Sequence, residues 1–328
     1  MTDRPQPRFE VVRDGTPVAP GLERPVVAIG NFDGVHRGHR AVIAAALARA
    51  SSLGRPAAAL TFEPHPRVVL RPGQPLFRLT DERAKLRLLA GTGLAGAFVL
   101  RFDAALAGLS AETFVREVLV GRFAIAGAVI GFDFHFGKNR QGSPTFLAAQ
   151  GAQHGFSVDV VSPLEDEGRP VSTGTIRGAL AAGRVVEAAE LLGYPWFLSA
   201  AVEHGDKRGR ELGYPTANLR LDPACGLKHG IYAVRVGIGG RRHDGVASFG
   251  RRPTFDDGAP LLEVFLFDFS DDLYGAVIDV AFISWIRHEQ RFESVDDLVR
   301  HMDEDSARAR DALARAGDVF PPLGSLPW

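Results

Sequence analysis

Cysteine is almost absent from this chain, since Cys225 is the only one among 328 residues. A single thiol cannot form an intrachain disulfide, and it excludes a zinc site built on several cysteines. One lone cysteine is also typical of a reducing compartment, so we expect a cytoplasmic protein. The first ten residues, MTDRPQPRFE, contain no apolar core of a signal peptide, in agreement with that expectation.

Long apolar runs and an excess of one charge are also lacking. No run approaches the roughly 20 apolar residues that a membrane-spanning helix needs. The chain has 38 Lys and Arg against 39 Asp and Glu, for a formal net charge of -1. Such a balance provides no basic field to attract nucleic acid or anionic lipid. We therefore expect a soluble protein without nucleic-acid or membrane partners, in which a local site binds any polyanion.

The first half of the chain alternates short apolar runs with helical patterns. Strands are predicted at 26–29, 57–62, 97–102, 128–130 and 157–161, and helices at 81–89 and 111–120. Thr80 and Ser110 are predicted to cap the two helices, and Ser143 followed by Pro144 to begin another. The alternation indicates βαβ units and a parallel sheet, in which ligands bind beyond the carboxyl ends of the strands.

The second half lacks long helices between its strand patterns. Strands are predicted at 199–203, 231–237, 244–248, 261–269 and 277–283, which favours a small antiparallel barrel or sandwich. A last helix is predicted to begin near Val295, with Ser294 as its cap. Because Tyr194-Pro195 ends a helical pattern, we predict two domains, 1–195 and 196–328.

The string GNFDGVHRGH at 30–39 joins the first predicted strand to the first helix. Glycines let the backbone approach a ligand, and free N–H groups at a helix start bind anions. His36 and His39 are three apart and share one side of the opening turn, so both could donate hydrogen bonds to the phosphates of ATP. A single such His is more often a solvated or core residue, and a zinc site would lack further ligands at the expected spacing. The string is neither a Walker A loop nor a GxGxxG motif.

A second candidate site lies at 205–218, with the sequence GDKRGRELGYPTAN. A basic, glycine-rich loop suits phosphate binding. Thr216 and Asn218 are two apart, so on an extended segment both point the same way and could hold Mg²⁺ with ATP phosphates. Taken alone, the string would more often be a plain turn.

Glu263 is the third feature of interest, because the predicted strand 261–269 places it among apolar residues. Alternation puts Leu261, Phe265, Phe267 and Phe269 on the same face as Glu263. An unpaired buried carboxylate is costly, which favours a functional role. The alternative is a carboxylate at the barrel rim, solvated or paired with an Arg.

These strings together resemble one family. The string at 30–39 resembles the HxGH signature of α/β nucleotidylyltransferases, and the first half resembles the FAD synthetase half of prokaryotic bifunctional riboflavin kinase/FAD synthetases. The other matching segments of this half are 62–66, 131–137 and 171–177. The second half resembles the riboflavin kinase of the same family at 205–218, 231–234, 250–255, 263–269 and 289–292. The resemblance runs in the family's order from about 26 to 310.

The resemblance implies a fold and two activities. The fold is an α/β nucleotidylyltransferase domain, Rossmann-like with a parallel sheet, followed by a small antiparallel β-barrel with a C-terminal helix. The activities are phosphorylation of riboflavin to FMN and adenylylation of FMN to FAD. ATP is then the co-substrate, Mg²⁺ the cofactor, and FMN and FAD the product ligands. The expected partners are riboflavin, FMN and ATP, and the question of a homo-oligomer is left open.

The resemblance also implies roles for individual residues. Glu263 is implied as general base of the kinase, His36 and His39 as catalytic residues of adenylyl transfer, and Thr216 with Asn218 as the metal site. The implied nucleotide-binding and flavin-binding residues are Gly30, Phe32, Asp33, Gly34, Asp133, Ser172, Thr173, Arg177, Gly205, Lys207, Arg210, Gly213, Thr216 and Asn218. The chain departs from the family at Gly174, where a Ser or Thr is expected, and at Phe265, where many relatives have His.

Two other functions remain open at this point. In one, only the first half is catalytic and the barrel merely binds flavin; the intact segment 215–218 and Glu263 argue against it. In the other, the protein is a flavin-carrying oxidoreductase, but no string resembles a second substrate site.

Phe62 and Phe132 fit a core role and a site role equally well.

Overall fold

The computed structural model describes residues 8–166, 168–205, 213–251 and 260–326. Two compact units divide the chain. The first is formed by Met1–Leu76, Asp81–Ser172 and Pro322–Trp328, and the second by Phe77–Thr80 and Thr173–Pro321. No helix in the described part of the chain is long and apolar enough to cross a membrane.

A six-stranded sheet in which every pairing is parallel forms the centre of the first unit. In chain order its strands are β1 Glu10–Arg13, β2 Val26–Ile29, β3 Ala57–Glu63, β4 Gly96–Arg101, β5 Gly127–Gly131 and β6 Ser157–Val161. Their spatial order is β1-β4-β3-β2-β5-β6, so the chain moves from β2 to one side and later returns to the other. The crevice at such a switch point, beyond the carboxyl end of β2, is where open α/β sheets bind ligands.

Helices connect these strands. They are α1 Arg37–Leu53, α2 Pro66–Leu70, α3 Glu82–Ala90, α4 Ala104–Gly108, α5 Ala111–Thr113, which continues as a π-helix over Phe114–Arg122, and α6 Pro144–His154. A short hairpin of β7 Glu165–Asp166 and β8 Arg169–Pro170 follows. The parallel α/β architecture confirms the sequence prediction.

The helix caps follow the sequence with one exception. Ser110 and Ser143 cap their helices as predicted, each accepting a backbone N–H three residues ahead. The prediction of Thr80 as a cap is wrong, because the carboxylate of Asp81 accepts the N–H of Ala84 and begins α3 instead. An Asp directly before the first helical turn satisfies a free N–H as well as a hydroxyl does.

The core of the first unit lies on both faces of the sheet. All four residues of β2 are buried, as expected of a central parallel strand. Leu60, Phe98 and Leu119 are fully buried beside them. Each such side chain contributes about 1.5–3 kcal/mol relative to an exposed position, so the core fixes the strand ends where ligands would bind.

The second unit begins with two helices, α7 Thr173–Ala181 and α8 Val185–Leu192. An antiparallel sheet follows, of β9 Phe197–Ala201, β10 Thr216–Arg220, β11 Gly230–Ile238, β12 Arg241–Arg251, β13 Pro260–Leu266 and β14 Val277–Arg287. The spatial order is β10-β13-β12-β11-β14-β9. A bridge between Glu203 and Asn218 brings the two edges together, so the sheet is a nearly closed barrel, as predicted.

A long helix completes the second unit. This helix, α9 Val295–Ala316, packs against β11, β12 and β14. Its cap is Ser294, whose hydroxyl accepts the N–H of Asp297 as the sequence predicts. A buried pair of Arg287 and Asp305 joins the helix to β14, with Nη2 and Oδ2 2.6 Å apart. The functional boundary at 195/196 stays a prediction, whereas the packing units divide between Ser172 and Thr173.

Candidate active sites

The loop after β2 has a tightly folded backbone. Phe32 is left-handed with φ 50°, and a short 3₁₀ turn over Asp33–Val35 follows it. Gly34 has φ 77° and Val35 has φ 35°. A β-branched residue rarely adopts positive φ, and such strain collects at functional sites. Phe32, Asp33 and Gly34, which the sequence predicted to bind nucleotide, are all buried here.

His36 and His39 meet where this loop becomes α1. The Nδ1 atom of His36 accepts the backbone N–H of His39 at 3.3 Å, so His36 caps the helix. The two rings are stacked, with centroids 3.7 Å apart. A Cβ at Gly38 would lie 3.1 Å from Cε1 of His36, so a glycine leaves room for this ring. Because Nδ1 is an acceptor, the neutral ring of His36 carries its proton on Nε2 and can donate there.

Burial keeps both imidazoles uncharged at neutral pH. It lowers the pKa of His36 to about 4, although the carboxylate of Asp33 acts in the opposite direction. Burial also holds the pKa of His39 well below its usual value. The positive charge of Lys85, and the charge that His36 gains when it is protonated, lower this pKa further. The two residues are therefore neutral N–H donors at the start of α1 rather than fixed charges. In the described part of the chain, Nδ1 of His39 is buried without a hydrogen-bond partner.

The segment after the neighbouring strand β5 shows a mixed outcome. Asp133 is exposed, and Phe132 is 52% exposed, which excludes a core role for Phe132. Phe62, by contrast, is buried within the hydrophobic core of the unit. Since β5 pairs directly with β2, the segment begins at the same sheet edge as Gly30.

The residues expected to bind phosphate near 171–177 fall in both units. Ser172 is the last residue of its stretch in the first unit, while Thr173 begins α7 in the second. Arg177 donates from Nε to the carbonyl of Phe77 at 2.6 Å, within the second unit. That bond uses one of the five donors of the guanidinium. Phosphate binding by these three residues stays a prediction.

The second candidate site lies on three adjacent strands. Asn218 on β10 lies directly opposite Glu263 on β13, which in turn lies opposite Ser248 on β12. Thr216 is two residues from Asn218 on the same strand, so both side chains face one side, as the sequence predicts. Gly213 has φ 82°, a left-handed turn residue just before this strand. Lys207 and Arg210 lie outside the described residues.

The amide of Asn218 is held in one orientation. Its Nδ2 atom donates to the carbonyl of Thr216 at 3.2 Å. A Cβ at Gly205 would lie 2.5 Å from Nδ2 and 2.7 Å from Oδ1 of Asn218, so any larger residue there would displace this amide. With the nitrogen directed to a carbonyl, the amide oxygen is the end suited to a cation.

Glu263 differs from the sequence expectation in its surroundings. The buried face of β13 carries Leu262, Val264 and Leu266, whereas Glu263 lies on the half-buried face. The prediction of a strand continuing to 269 is also wrong, because β13 ends at Leu266 and Asp268 turns with φ 55°. Glu263 therefore has access to solvent or ligand at the barrel surface rather than a place in the core.

Glu289 belongs to the segment 289–292 that resembles the family, but the sequence analysis assigned it no role. It lies close enough to Glu263 for their charges to interact. Glu289 follows β14, and its Oε2 is 4.0 Å from Nδ1 of His229. Burial raises the pKa of Glu289; His229 acts against the rise, and the charge of Glu263 adds to it. Nothing in the strand periodicity marks Glu289, since it lies beyond the last strand in an irregular segment.

The residues of the second site fit a magnesium ion that ATP brings with it. Across 8–166, 168–205, 213–251 and 260–326, no group of three or more His, Cys, Asp or Glu could hold a metal. Mg²⁺ in nucleotide sites is bound by few protein ligands and mostly by phosphates and water. A hydroxyl at Thr216 and an oriented amide oxygen at Asn218 match that chemistry.

Both halves of the chain match known families. The FAD synthetase family matches residues 19–175, and the riboflavin kinase family matches residues 192–313. The bifunctional riboflavin kinase/FMN adenylyltransferase of Escherichia coli K12 is 38% identical over 287 residues, covering 87% of this chain and 92% of the relative. The enzyme of the same description from Pseudomonas fluorescens is 41% identical over 290 residues, covering 88% and 93%.

A solved structure shares the fold. A crystal structure described as a macrolide-efflux protein from Streptococcus pneumoniae matches with a TM-score of 0.83 and 32% identity, covering 92% of this chain and 99% of that one. With both halves matched in order, the chain has the two domains of a bifunctional transferase. The chain belongs to the bifunctional riboflavin kinase/FMN adenylyltransferase family.

Proposed function

We propose that the chain phosphorylates riboflavin to FMN with ATP and then adenylylates FMN to FAD with a second ATP. The family matches of both halves support the pair of reactions. The observation that carries the proposal is that each unit has its own chemistry. The first holds two stacked, neutral imidazoles at a helix start, and the second holds Glu263 opposite Asn218.

In adenylyl transfer, a phosphate oxygen of FMN attacks the α-phosphorus of ATP. The bond from that phosphorus to its bridging oxygen breaks, and pyrophosphate leaves. Negative charge grows on the α-phosphate oxygens in the transition state, so donors aimed there accelerate the step. His36 supplies one through Nε2, and the backbone N–H groups at the start of α1 supply others. The exposed Phe132 is suited to stacking on a flat ring, and Asp133 beside it to binding a polar edge.

In phosphoryl transfer, the ribityl 5′-hydroxyl of riboflavin attacks the γ-phosphorus of ATP. Glu263 accepts the hydroxyl proton, and ADP leaves. A base on a half-buried strand face is open to a bound flavin and can accept a proton from its hydroxyl. The glycine-rich, basic string at 205–218 is proposed to bind the phosphates.

Magnesium is proposed as the cofactor of both reactions. Thr216 and Asn218 would hold it in the kinase site, through the hydroxyl and the amide oxygen. Bound there, the ion neutralises phosphate charge and orients the nucleotide. The hydrogen bond from Nδ2 of Asn218 to the carbonyl of Thr216 leaves the amide oxygen of Asn218 directed towards the proposed metal position without a bound nucleotide.

The direct test is a time course. Purified protein is incubated with riboflavin, ATP and Mg²⁺, and FMN and FAD are separated and quantified. FMN should appear first and FAD after a lag, and chelation of the metal should stop both. Formation of FAD from supplied FMN, with no FMN from riboflavin, would instead indicate an adenylyltransferase with a barrel that only binds flavin. Formation of neither product would overturn the proposal.

A further inference from the structure

A buried cation lies beside the histidine loop and has no part in the chemistry above. Lys85, on α3, is 2% exposed. Its Nζ atom is 2.6 Å from Oε1 of Glu63, at the end of β3. A buried ion pair costs desolvation and is often no more stabilising than well-packed apolar residues. Stability alone therefore does not explain a buried lysine at this position.

The hydrogen bonds of Lys85 lead to the loop. Nζ donates to Oγ1 of Thr61 and to the carbonyl of Phe62, both at 3.2 Å. Thr61 is fully buried, and its hydroxyl donates to the carbonyl of Asn31, also at 3.2 Å. A continuous path thus joins α3, the strand β3 and the backbone of the loop that begins at Gly30.

The path ends where the loop is most strained. Asn31 directly precedes Phe32, which is left-handed, and Val35 three residues further has φ 35°. Backbone in such sparsely populated regions persists only when its surroundings over-determine it. The N–H of Gly30 donates to the carbonyl of Leu60 at 3.1 Å. Residues of β3 therefore hydrogen-bond to both Gly30 and Asn31, the two residues that lead into the strained turn.

We propose that Thr61 and Lys85, with Glu63 as counter-ion, are positioning residues for adenylyl transfer. They fix the carbonyl of Asn31 and so set the loop that presents His36 and His39. This inference rests on the proposed function of that loop. None of the three side chains is assigned a contact with substrate; each acts through the backbone of Asn31.

The electrostatics of the site agree with this placement. The positive charge of Lys85 lowers the pKa of His39, after burial and the contribution of His36. Lys85 is therefore close enough to act on His39 as well as on the loop backbone. Glu63 balances the buried charge, which allows an ammonium group to remain in this buried position.

Two substitutions of Thr61 separate positioning from packing. Thr61→Ser keeps the hydroxyl and removes the methyl, while Thr61→Val keeps the methyl and removes the hydroxyl. We expect Thr61→Val to lower kcat for FAD formation from FMN by roughly 10- to 100-fold, with KM for ATP and FMN changed much less. Thr61→Ser should stay within a few-fold of the parent. Equal activity of both variants, or a greater loss in Thr61→Ser, would overturn the proposal.

The control residue lies just beyond the C-terminal end of the helix that carries Lys85. Thr92 has a hydroxyl that donates to the carbonyl of Leu89 at 2.6 Å, at the end of α3 and away from the loop. Thr92→Val removes one hydroxyl from this region without touching the path, so kcat for FAD formation should be unchanged. Riboflavin phosphorylation, measured in the same samples, should be unchanged in all three variants.

A second readout does not depend on activity. Backbone amide exchange of the segment 30–36 should be faster in Thr61→Val and in Lys85→Met than in the parent and in Thr61→Ser, while exchange within α6 stays the same. Unchanged loop exchange in both variants would overturn the proposal even if activity falls. A parent protein that formed no FAD would defeat the proposed function, and the exchange comparison would still decide whether Thr61 and Lys85 hold the loop.

Discussion

Asn218 and Glu263 lie directly opposite each other on the adjacent antiparallel strands β10 and β13. Opposed residues have Cβ atoms about 4.5–5.5 Å apart and share one face of the sheet. The proposed metal ligand and the proposed base are therefore set against each other by strand register rather than by a loop. A slip of one residue would turn one of them to the other face.

Replacing Glu263 by Gln should abolish the kinase and spare the other reaction. The amide keeps the shape of the side chain but cannot accept the hydroxyl proton. FMN formation should fall by about 10²–10⁴-fold, the usual contribution of a general base. FAD formation from supplied FMN should match the parent. The control is Glu304→Gln on α9, where the carboxylate is exposed and pairs with Arg300. Kinase activity near that of the parent would make Glu263 a structural residue.

Adding a methyl group at Gly205 should disturb the amide of Asn218. A Cβ there would lie within 2.7 Å of three atoms of that side chain, so the amide must move. We expect Gly205→Ala to reduce riboflavin phosphorylation by about 10- to 100-fold, as misplaced positioning groups do. Gly178→Ala is the matched control, because a Cβ at Gly178 meets nothing within 4 Å. The account fails here if both variants phosphorylate riboflavin equally well.

Acid should destabilise the first unit through His36. Its pKa is about 4 in the folded chain against 6.5 for the free side chain, so the unfolded chain binds more protons between these values. Stability from this group is complete above pH 6.5 and is lost as the pH falls towards 4. His36→Gln, which cannot titrate, should lose less stability between pH 7 and 5 than the parent in urea unfolding. Parallel losses in the two proteins would show that His36 is not buried as an uncharged group.

The packing of α8 predicts which N-terminal boundary a stable fragment of the kinase half requires. Val185, Leu191 and Leu192 on α8 are buried, and the helix packs against β14 within the second unit. Each buried side chain contributes about 1.5–3 kcal/mol. A fragment of residues 173–321 should therefore unfold at a higher temperature than a fragment of residues 193–321. Its riboflavin kinase activity should also survive to a higher temperature. Equal melting temperatures would place α8 outside the kinase fold.

Most of the secondary structure could be predicted because its periodicity is strong. The buried strands β2 and β3 and the capped helix at Ser143 all follow from apolar runs and cap residues. The edge strand β1 was missed, since only Val12 of its four residues is buried and its pattern is too short to recognise. The sequence grouped Leu261, Glu263 and Phe265 on one face of β13 correctly, but that face was taken for the apolar, buried one. The alternating burial shows the opposite face to be buried, since Leu262, Val264 and Leu266 are as apolar as the aromatic side chains that alternate with them.

The sites were partly predictable for a different reason. Local strings place His36 beside His39 and Thr216 beside Asn218, because neighbours in sequence share a turn or a strand. Long-range partners such as Lys85 depend on how α3 packs, which no local pattern contains. The one signal was a lysine within the apolar stripe of α3, four residues before the buried Leu89.

The most direct test of the account is FAD formation by the His36→Ala/His39→Ala variant, with FMN measured in the same reaction. Loss of one transition-state donor costs about 10²–10³-fold. The account predicts that this variant converts riboflavin to FMN at the parental rate and that FMN then accumulates without FAD. His154→Ala, at the end of α6, should form both products normally. A folded double variant that makes FAD at the parental rate would contradict the assignment of adenylyl transfer to this loop.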